Sequence, residues 1–369
     1  MFYHLFNYIN DVFAPPGFDV FRFLSFRSIL SAITALLLAF YIGPKIINFL
    51  RSKQIGETIK EVGPQSHFSK AGTPTMGGII IILSVTIPVM LWSDITSSYI
   101  LLVLFGTLCL SIVGFVDDYL KVVKKYPNGL IANYKLLGQI LVGLIVGAAI
   151  YFLPEFQEFN TQTTLPFFKN LNFDFSYLYI PAVIFIITAT SNAVNLTDGL
   201  DGLAIGTMII VMLALAVMSY VSGNVIYADY LNIIYLEGSG ELTVFIAALI
   251  GAGLGFLWFN FFPAQVFMGD TGSLALGGAF GIMAILIKKE LLIPILGGIY
   301  FLETLSVIIQ TSYYKYTKKK YGEGKRIFKM APIHHHFELS GWQEPKIVIR
   351  FYIVTIILAI VSLASFKIR

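Results

Sequence analysis

Residues 99–118 read YILLVLFGTLCLSIVGFVDD, an apolar run that ends in two aspartates. A helix of about 20 residues is about 30 Å long, which matches the hydrocarbon thickness of a membrane. The 369-residue chain is 57% hydrophobic and 12% charged, whereas soluble domains carry about 25% charged residues. Similar apolar runs recur along the chain. Together they predict an all-α polytopic membrane protein.

Hydropathy predicts about ten transmembrane helices within a single integral membrane domain, residues 1–369. The aromatic residues of segment 1–22 predict that it lies along the membrane interface. The eighth predicted span is short and rich in glycine, and fusing it with the ninth would leave nine spans. The ten predicted spans are residues 25–50, 76–92, 99–118, 136–153, 178–194, 203–221, 242–259, 273–287, 291–312 and 346–366.

The basic residues between the spans predict the orientation. The loops at about 51–75, 119–135 and 313–345 hold 15 Lys and Arg, whereas all segments on the other side hold 6. Lys and Arg are enriched in cytoplasmic loops. These three loops, and the short loops 195–202 and 260–272 on the same side, are therefore predicted to be cytoplasmic, with both termini outside. The basic loop 313–345 would also attract anionic lipid headgroups.

Four polar motifs fall on this predicted cytoplasmic side. They are GFVDDY (114–119), NLTDGLDG (195–202), FMGDTG (267–272) and MAPIHHHFE (330–338). A charged side chain near hydrocarbon is costly, and such residues usually have a function. Several of them on one side of the membrane predict a polar site for cations and phosphates.

Each motif also has a simpler explanation. Asp117 and Asp118 could be solvated acids that pair with nearby lysines where a helix leaves the membrane. Asp270 lies between glycines at a predicted helix start, where it could bind Mg²⁺ beside a diphosphate or cap the helix. Zinc at the triple histidine is disfavoured because no Cys accompanies it and three consecutive histidines cannot all coordinate one ion comfortably. Imidazoles that contact a phosphate or a sugar are the preferred interpretation.

The NLTDGLDG motif carries three oxygen-bearing side chains at a spacing of three residues. Asn195, Asp198 and Asp201 would share one face of a helical turn. Their oxygen atoms suit either a hard cation or the hydroxyl groups of a sugar. A structural cap could explain one of these residues, but it explains the whole set poorly.

In this order, and together with HFSKAGTPTMGG (67–78), the motifs resemble those of the phospho-N-acetylmuramoyl-pentapeptide transferases. These enzymes are one branch of the polyprenyl-phosphate N-acetylhexosamine-1-phosphate transferases. The resemblance runs from about residue 27 to the C-terminus. The aspartate motifs are typical of the whole superfamily, whereas the histidine loop is typical of the muramoyl-pentapeptide branch.

The resemblance implies a homodimeric enzyme of the bacterial inner membrane that uses Mg²⁺. Its substrates would be UDP-N-acetylmuramoyl-pentapeptide and undecaprenyl phosphate, and its products lipid I and UMP. No nucleic-acid partner is expected. Asp270 would bind Mg²⁺, and Asp117 and Asp118 would act at the reacting phosphates. Phe267 would stack on uracil, and His334 and His335 would lie at the rim. The positions implied for the nucleotide substrate are Lys70, Thr75, Asn195, Asp198, Asp201, Asn260, Phe267, Gln310, His334 and His335.

Two other functions remain open from the sequence. One is a polyprenyl-phosphate hexosamine-1-phosphate transferase that does not recognise a peptide. The other is an ion-coupled transporter, for which Glu303 in the ninth predicted span is the best-fitting residue. Transporters usually place such acids near the membrane midplane on broken helices, whereas the acids here lie at one edge. For the transferases, direct in-line transfer and a covalent aspartyl-phosphate intermediate both remain possible mechanisms.

Overall fold

The computed structural model describes residues 1–53, 70, 72–126, 129–168 and 171–366. This part of the chain contains fourteen α-helices and one antiparallel pair of short strands, β1 (Gln162–Thr164) and β2 (Asn172–Asp174). The helices are α1 Phe2–Phe13, α2 Leu24–Ser52, α3 Gly78–Trp92, α4 Ser98–Val122, α5 Ala132–Phe152, α6 Tyr179–Thr197, α7 Leu203–Ser222, α8 Val225–Leu231, α9 Leu242–Asn260, α10 Gly269–Leu286, α11 Ile293–Leu296, α12 Gly298–Tyr321, α13 Ile333–Glu338 and α14 Glu344–Ala364.

The predicted all-α polytopic class is confirmed. In the described ranges, eight helices are long and apolar enough to cross a membrane: α2, α4, α5, α6, α7, α9, α10 and α14. The pair α11 and α12, bent by 81°, brings the number to nine if it forms one span. The apolar helix α3 has 15 residues and is about 22 Å long. Each predicted span overlaps one of these helices except the ninth (291–312), which overlaps both α11 and α12. The eighth and ninth spans are separate.

The bend between α11 and α12 has a local cause. Pro294 lies in the first turn of α11, and Gly297 ends this helix before α12 begins at Gly298. Proline and glycine are common causes of sharp helix bends, because proline lacks a backbone donor and glycine tolerates many backbone conformations. The apolar segment 291–312 is therefore interrupted rather than continuous.

Helix α10 lies at the centre of the bundle. Nearly all of its side chains are buried, and it packs against α4 and α6. Close packing depends on small residues. A Cβ atom on Gly251 of α9 would collide with the backbone of Ala32 in α2. Glycines of this kind let transmembrane helices approach closely.

The loops are shorter than predicted, because several helices continue beyond the apolar runs. Helix α4 extends to Val122, and α12 extends through its lysine-rich end to Tyr321. The predicted loop 313–345 is consequently partly helical, and it contains α13. Most of the predicted loop 51–75 lies outside the described residues. Segment 1–22 forms α1 and a 3₁₀ helix, and its position at the membrane interface stays a prediction.

Candidate active site

The acidic end of α4 lies directly against the start of α10. Gly114 makes this contact possible, since a Cβ atom there would collide with the backbone carbonyl of Asp270. Asp117 and Asp118 follow about one turn later on α4. Gly269, which begins α10, has a φ of 74°, a conformation that glycine adopts readily. Two motifs that are more than 140 residues apart in sequence therefore meet at one end of the bundle.

Asp118 caps α10 from the neighbouring helix. Its Oδ1 accepts a hydrogen bond from the backbone N–H of Asp270 at 3.0 Å. Its Oδ2 accepts bonds from the backbone N–H and the hydroxyl of Thr271, at 2.9 and 2.6 Å. The first N–H groups of a helix lack partners within the helix, and a carboxylate there also interacts favourably with the helix dipole. Both oxygens of this buried side chain are thus engaged in holding α10.

Two acids and two lysines form the acid–lysine cluster: Asp117, Lys121, Lys135 and Asp270. Lys121 Nζ lies 2.6 Å from Asp117 Oδ2 and 3.0 Å from Asp270 Oδ2. Lys135 Nζ lies 3.2 Å from the same oxygen of Asp117 and 2.6 Å from that of Asp270. Each lysine therefore bridges both acids. The other oxygen of Asp117 accepts the backbone N–H of Leu130 at 2.7 Å.

Asn195, at the end of α6, fixes the second oxygen of Asp270. Its Nδ2 donates to Asp270 Oδ1 at 2.7 Å and to Ser273 Oγ at 2.8 Å. The aspartate of FMGDTG is consequently oriented by an amide on one side and by two ammonium groups on the other. Helices α4, α5, α6 and α10 all contribute to this arrangement.

A second charged group, the Lys70 triad, consists of Lys70, Asp201 and Glu344. Lys70 Nζ lies 2.6 Å from Asp201 Oδ1 and 2.6 Å from Glu344 Oε1. Burial disfavours the charged ammonium, but the two carboxylates outweigh it and raise the pKa of Lys70. Glu344 Oε1 also accepts the backbone N–H of Asp201 at 2.6 Å. The triad thus joins the HFSKAGTPTMGG and NLTDGLDG motifs to the start of α14.

Backbone hydrogen bonds connect residues 74–78 with residues 267–268. Phe267 donates its N–H to Pro74 O at 2.8 Å and accepts the N–H of Gly77 at 2.8 Å. The half-buried ring of Phe267 lies 5.9 Å from Lys70 Nζ. Thr75 is buried beside this link. The aromatic ring, the lysine and the hydroxyl therefore occupy one region.

The sequence of this chain matches family profiles in part and known relatives over its whole length. A family profile described as glycosyl transferase family 4 matches residues 100–288, and a phospho-N-acetylmuramoyl-pentapeptide-transferase signature matches residues 70–82. The chain is 53% identical to the phospho-N-acetylmuramoyl-pentapeptide-transferase of Pelodictyon phaeoclathratiforme and 52% identical to that of Chloroherpeton thalassium, with all of both chains covered in each case. The chain belongs to the phospho-N-acetylmuramoyl-pentapeptide-transferase family.

Membership of this family confirms the resemblance seen in the motifs and makes the chain a transferase. Bacterial relatives and multiple spans together make it a multi-pass protein of the inner membrane. The transporter interpretation is wrong, because full-length relatives that share half of its residues are transferases.

The remaining predicted site residues differ in accessibility. Asn260 is buried and bonds to the backbone of Gly202 and Val266. Gln310 is buried and bonds to the backbone of residues 327–328. Both amides therefore hold loops in place. Asp198 is half-buried and follows the last residue of α6.

The two histidines occupy different environments. His335 is half-buried, and its Nδ1 lies 2.7 Å from Glu338 Oε2. His334 has no exposed surface. The expectation that His334 lies at the rim is wrong for this structure, because its ring is enclosed between Gly199 and Glu303. In the described residues, no group of three or more His, Cys, Asp or Glu could hold a zinc ion.

Sequence reasoning did not include Lys135 and Glu344 among the site residues. Lys135 is one of the basic residues of segment 119–135 that predict the orientation, and its place in the first turn of a helix is the signal that could have identified it. Glu344 is followed by Pro345 at the start of the last span. Its location there did not predict a contact with residues 70 and 201.

Proposed function

We propose that this transferase moves phospho-N-acetylmuramoyl-pentapeptide from its UDP carrier to undecaprenyl phosphate, forming lipid I and UMP. The full-length relatives that carry this activity in their name support the proposal. The site lies at one end of a bundle of spans, where a water-soluble nucleotide and a lipid phosphate can both reach it. The acid–lysine cluster carries the proposal, because it suits a reaction between two phosphate groups.

The lysines of the cluster would bind the phosphates of the substrates. Phosphoryl transfer depends mainly on positioning and on neutralising negative charge. Ammonium groups form strong, charge-assisted hydrogen bonds with phosphate oxygens. Lys121 and Lys135 each lie between two carboxylates, so an incoming diphosphate would meet both ammonium groups at one place.

The residues present fit the Mg²⁺ that the family resemblance implies. Mg²⁺ usually binds one or two carboxylates together with substrate phosphates. Asp270 and Asp117 present two carboxylate oxygens to the same pair of ammonium groups, so a cation is already stabilised at this position. Asp270 would be the principal ligand, with Asp117 beside it. The bound ion would supply additional neutralisation of the diphosphate.

The proposed reaction is a single in-line displacement. An oxygen of the lipid phosphate forms a bond to the sugar-bearing phosphorus, while the bond from that phosphorus to the bridging oxygen breaks. UMP leaves with that oxygen and its electron pair. A phosphate monoester has a second pKa of about 6, so the nucleophile is mostly deprotonated at neutral pH. Asp117 therefore orients Lys121 rather than removing a proton.

The site is proposed to face the cytoplasm, with both termini outside, because the basic loops lie on the side of the motifs. A homodimer is proposed from the family resemblance alone. Accessibility of single cysteines placed at residues 124 and 230 to a membrane-impermeant thiol reagent in intact cells tests the orientation. Labelling at 230 and protection at 124 are expected, and the reverse pattern would contradict the proposal.

Competition between nucleotide sugars tests the function. The purified protein is given undecaprenyl phosphate, Mg²⁺ and an equal mixture of UDP-N-acetylmuramoyl-pentapeptide and UDP-N-acetylglucosamine, and the lipid products are identified by mass spectrometry. Lipid I is expected as the main product. A lipid that carries N-acetylglucosamine would favour the alternative transferase. Exchange of labelled UMP into the nucleotide substrate without lipid phosphate would favour a covalent intermediate.

A further inference from the structure

A buried carboxylate of α12 lies beside the first histidine of α13. Glu303 Oε1 is 3.1 Å from His334 Nδ1, and neither side chain has appreciable exposed surface. The two residues belong to different segments, since α12 is a predicted span and α13 lies in the following loop. The pair therefore joins the histidine motif to the transmembrane bundle.

Within the described residues, this pair has no other polar partner. Apart from their mutual 3.1 Å contact, the oxygens of Glu303 and the ring nitrogens of His334 are buried and have no hydrogen-bond partner in this part of the chain. A buried polar or charged group without a partner is costly, and most such groups in proteins are paired. Glu303 and His334 consequently depend on each other for electrostatic stabilisation.

The other edge of the His334 ring supports the NLTDGLDG motif. A Cβ atom on Gly199 would collide with His334 Nε2. Gly199 lies between Asp198 and Asp201, which are both predicted to bind the nucleotide substrate. The imidazole thus packs against the backbone of the 198–202 loop, and the glycine is required for this contact.

We infer that Glu303 is a positioning residue for the nucleotide-binding loop. Its carboxylate holds His334 against Gly199, and the imidazole in turn fixes the backbone that carries Asp198 and Asp201. The inference rests on the proposed function, because it assigns the 198–202 loop to the nucleotide. Since the pair is enclosed, Glu303 acts through His334 and the loop rather than by touching the substrate.

Two substitutions of Glu303 separate this role from simple packing. Glu303→Gln keeps an oxygen that can accept a hydrogen bond from His334 Nδ1, whereas Glu303→Leu removes it. We expect Glu303→Leu to raise KM for the nucleotide substrate about tenfold or more, with a smaller change in kcat. In Glu303→Gln, KM should stay much closer to the wild-type value. Thr304→Val is the matched control, because among the described residues the Thr304 hydroxyl bonds only to the backbone of its own helix at Tyr300.

A substitution on the opposite face of the imidazole gives an independent test. Gly199→Ala should raise KM in the same way, since it displaces the ring from the other side. If Glu303→Leu and Gly199→Ala disturb the same contact, the combined variant should raise KM by less than the product of the two single increases. Effects that multiply fully would contradict the inference.

Measurements without turnover separate the failure of this inference from the failure of the proposed function. Affinity for UMP by calorimetry should fall in Glu303→Leu and recover in Glu303→Gln. Nitrogen NMR of labelled histidine should show a proton on Nδ1 of His334, and this signature should be lost in Glu303→Leu.

A folded Glu303→Leu protein with unchanged KM and UMP affinity overturns the inference. If that variant does not fold, the UMP affinities of Glu303→Gln and Gly199→Ala decide. Absence of transfer by the wild-type protein would overturn the proposed function instead.

Discussion

The side chain of Asp118 binds the backbone of Asp270, since Asp118 Oδ1 accepts the backbone N–H of Asp270 at 3.0 Å. The side chain of Asp270 is consequently free to face Lys121 and Lys135. The two adjacent acids of GFVDDY thus have different partners. Asp117 contacts the lysines, whereas Asp118 fixes the first turn of α10. This division agrees with the angle of about 100° between neighbouring residues of a helix.

Replacing Asp118 by Asn should lower both stability and activity. An amide has one acceptor oxygen, so it cannot accept all three hydrogen bonds that the two oxygens of Asp118 receive from Asp270 and Thr271. We expect a loss of about 1–3 kcal/mol in the free energy of unfolding. Thermal unfolding in detergent measures this loss. An unchanged stability of the Asn variant would contradict the capping role.

Replacing Lys135 by Ala should reduce kcat strongly. We expect a loss of about 100-fold, since a preorganised charge at the reacting phosphates is removed. Lys135→Arg should recover part of the activity because it keeps the charge. Lys124→Ala is the matched control, since Lys124 is an exposed lysine between α4 and α5. Equal activities of the two alanine variants would rule out a role for Lys135 at the site.

The pH dependence of Asp117→Asn distinguishes orientation from proton removal. The lipid phosphate ionises with a pKa of about 6, and this ionisation is the same for the wild-type protein and the variant. If Asp117 only orients Lys121, the fractional loss of kcat/KM should be equal at about pH 6 and about pH 8.5. A loss that shrinks as the pH rises would instead identify Asp117 as the base.

Replacing Gly114 by Ala should prevent α4 and α10 from packing. The added methyl group would collide with the backbone carbonyl of Asp270, and backbone cannot move aside as a flexible side chain can. Gly147→Ala on α5 is the control, because its Cβ would lie 3.3 Å from the side chain of Val183. We expect Gly114→Ala to lose activity and thermal stability, whereas Gly147→Ala changes both far less. Full activity of Gly114→Ala would show that the two helices need not be this close.

The spans and the meeting of the motifs could be predicted from the sequence for simple reasons. A sufficiently long apolar segment usually crosses a membrane as a helix, because its backbone groups must all be hydrogen-bonded within the protein. The Lys and Arg of the loops predict that all four motifs lie on one side of the membrane. The break at Gly297 was visible only as a proline and two glycines.

The partners within the site could not be predicted in this way. Whether an acid at a helix end faces solvent, a lysine or a backbone N–H depends on tertiary packing. The bond between Lys70 and Glu344 joins residues 274 positions apart, and the pair of Glu303 and His334 buries a residue expected at the rim. Residue type and spacing carry no information about such contacts.

The central claim is that Asp270, Lys121 and Lys135 form one metal-dependent phosphotransfer site. Release of UMP tests this claim most directly. The wild-type protein should release UMP from UDP-N-acetylmuramoyl-pentapeptide only when undecaprenyl phosphate and Mg²⁺ are both present. Chelation should abolish the release, added Mg²⁺ should restore it, and Asp270→Asn should stay inactive at every Mg²⁺ concentration. Release by Asp270→Asn at the wild-type rate, or by the wild-type protein after chelation, would contradict the account.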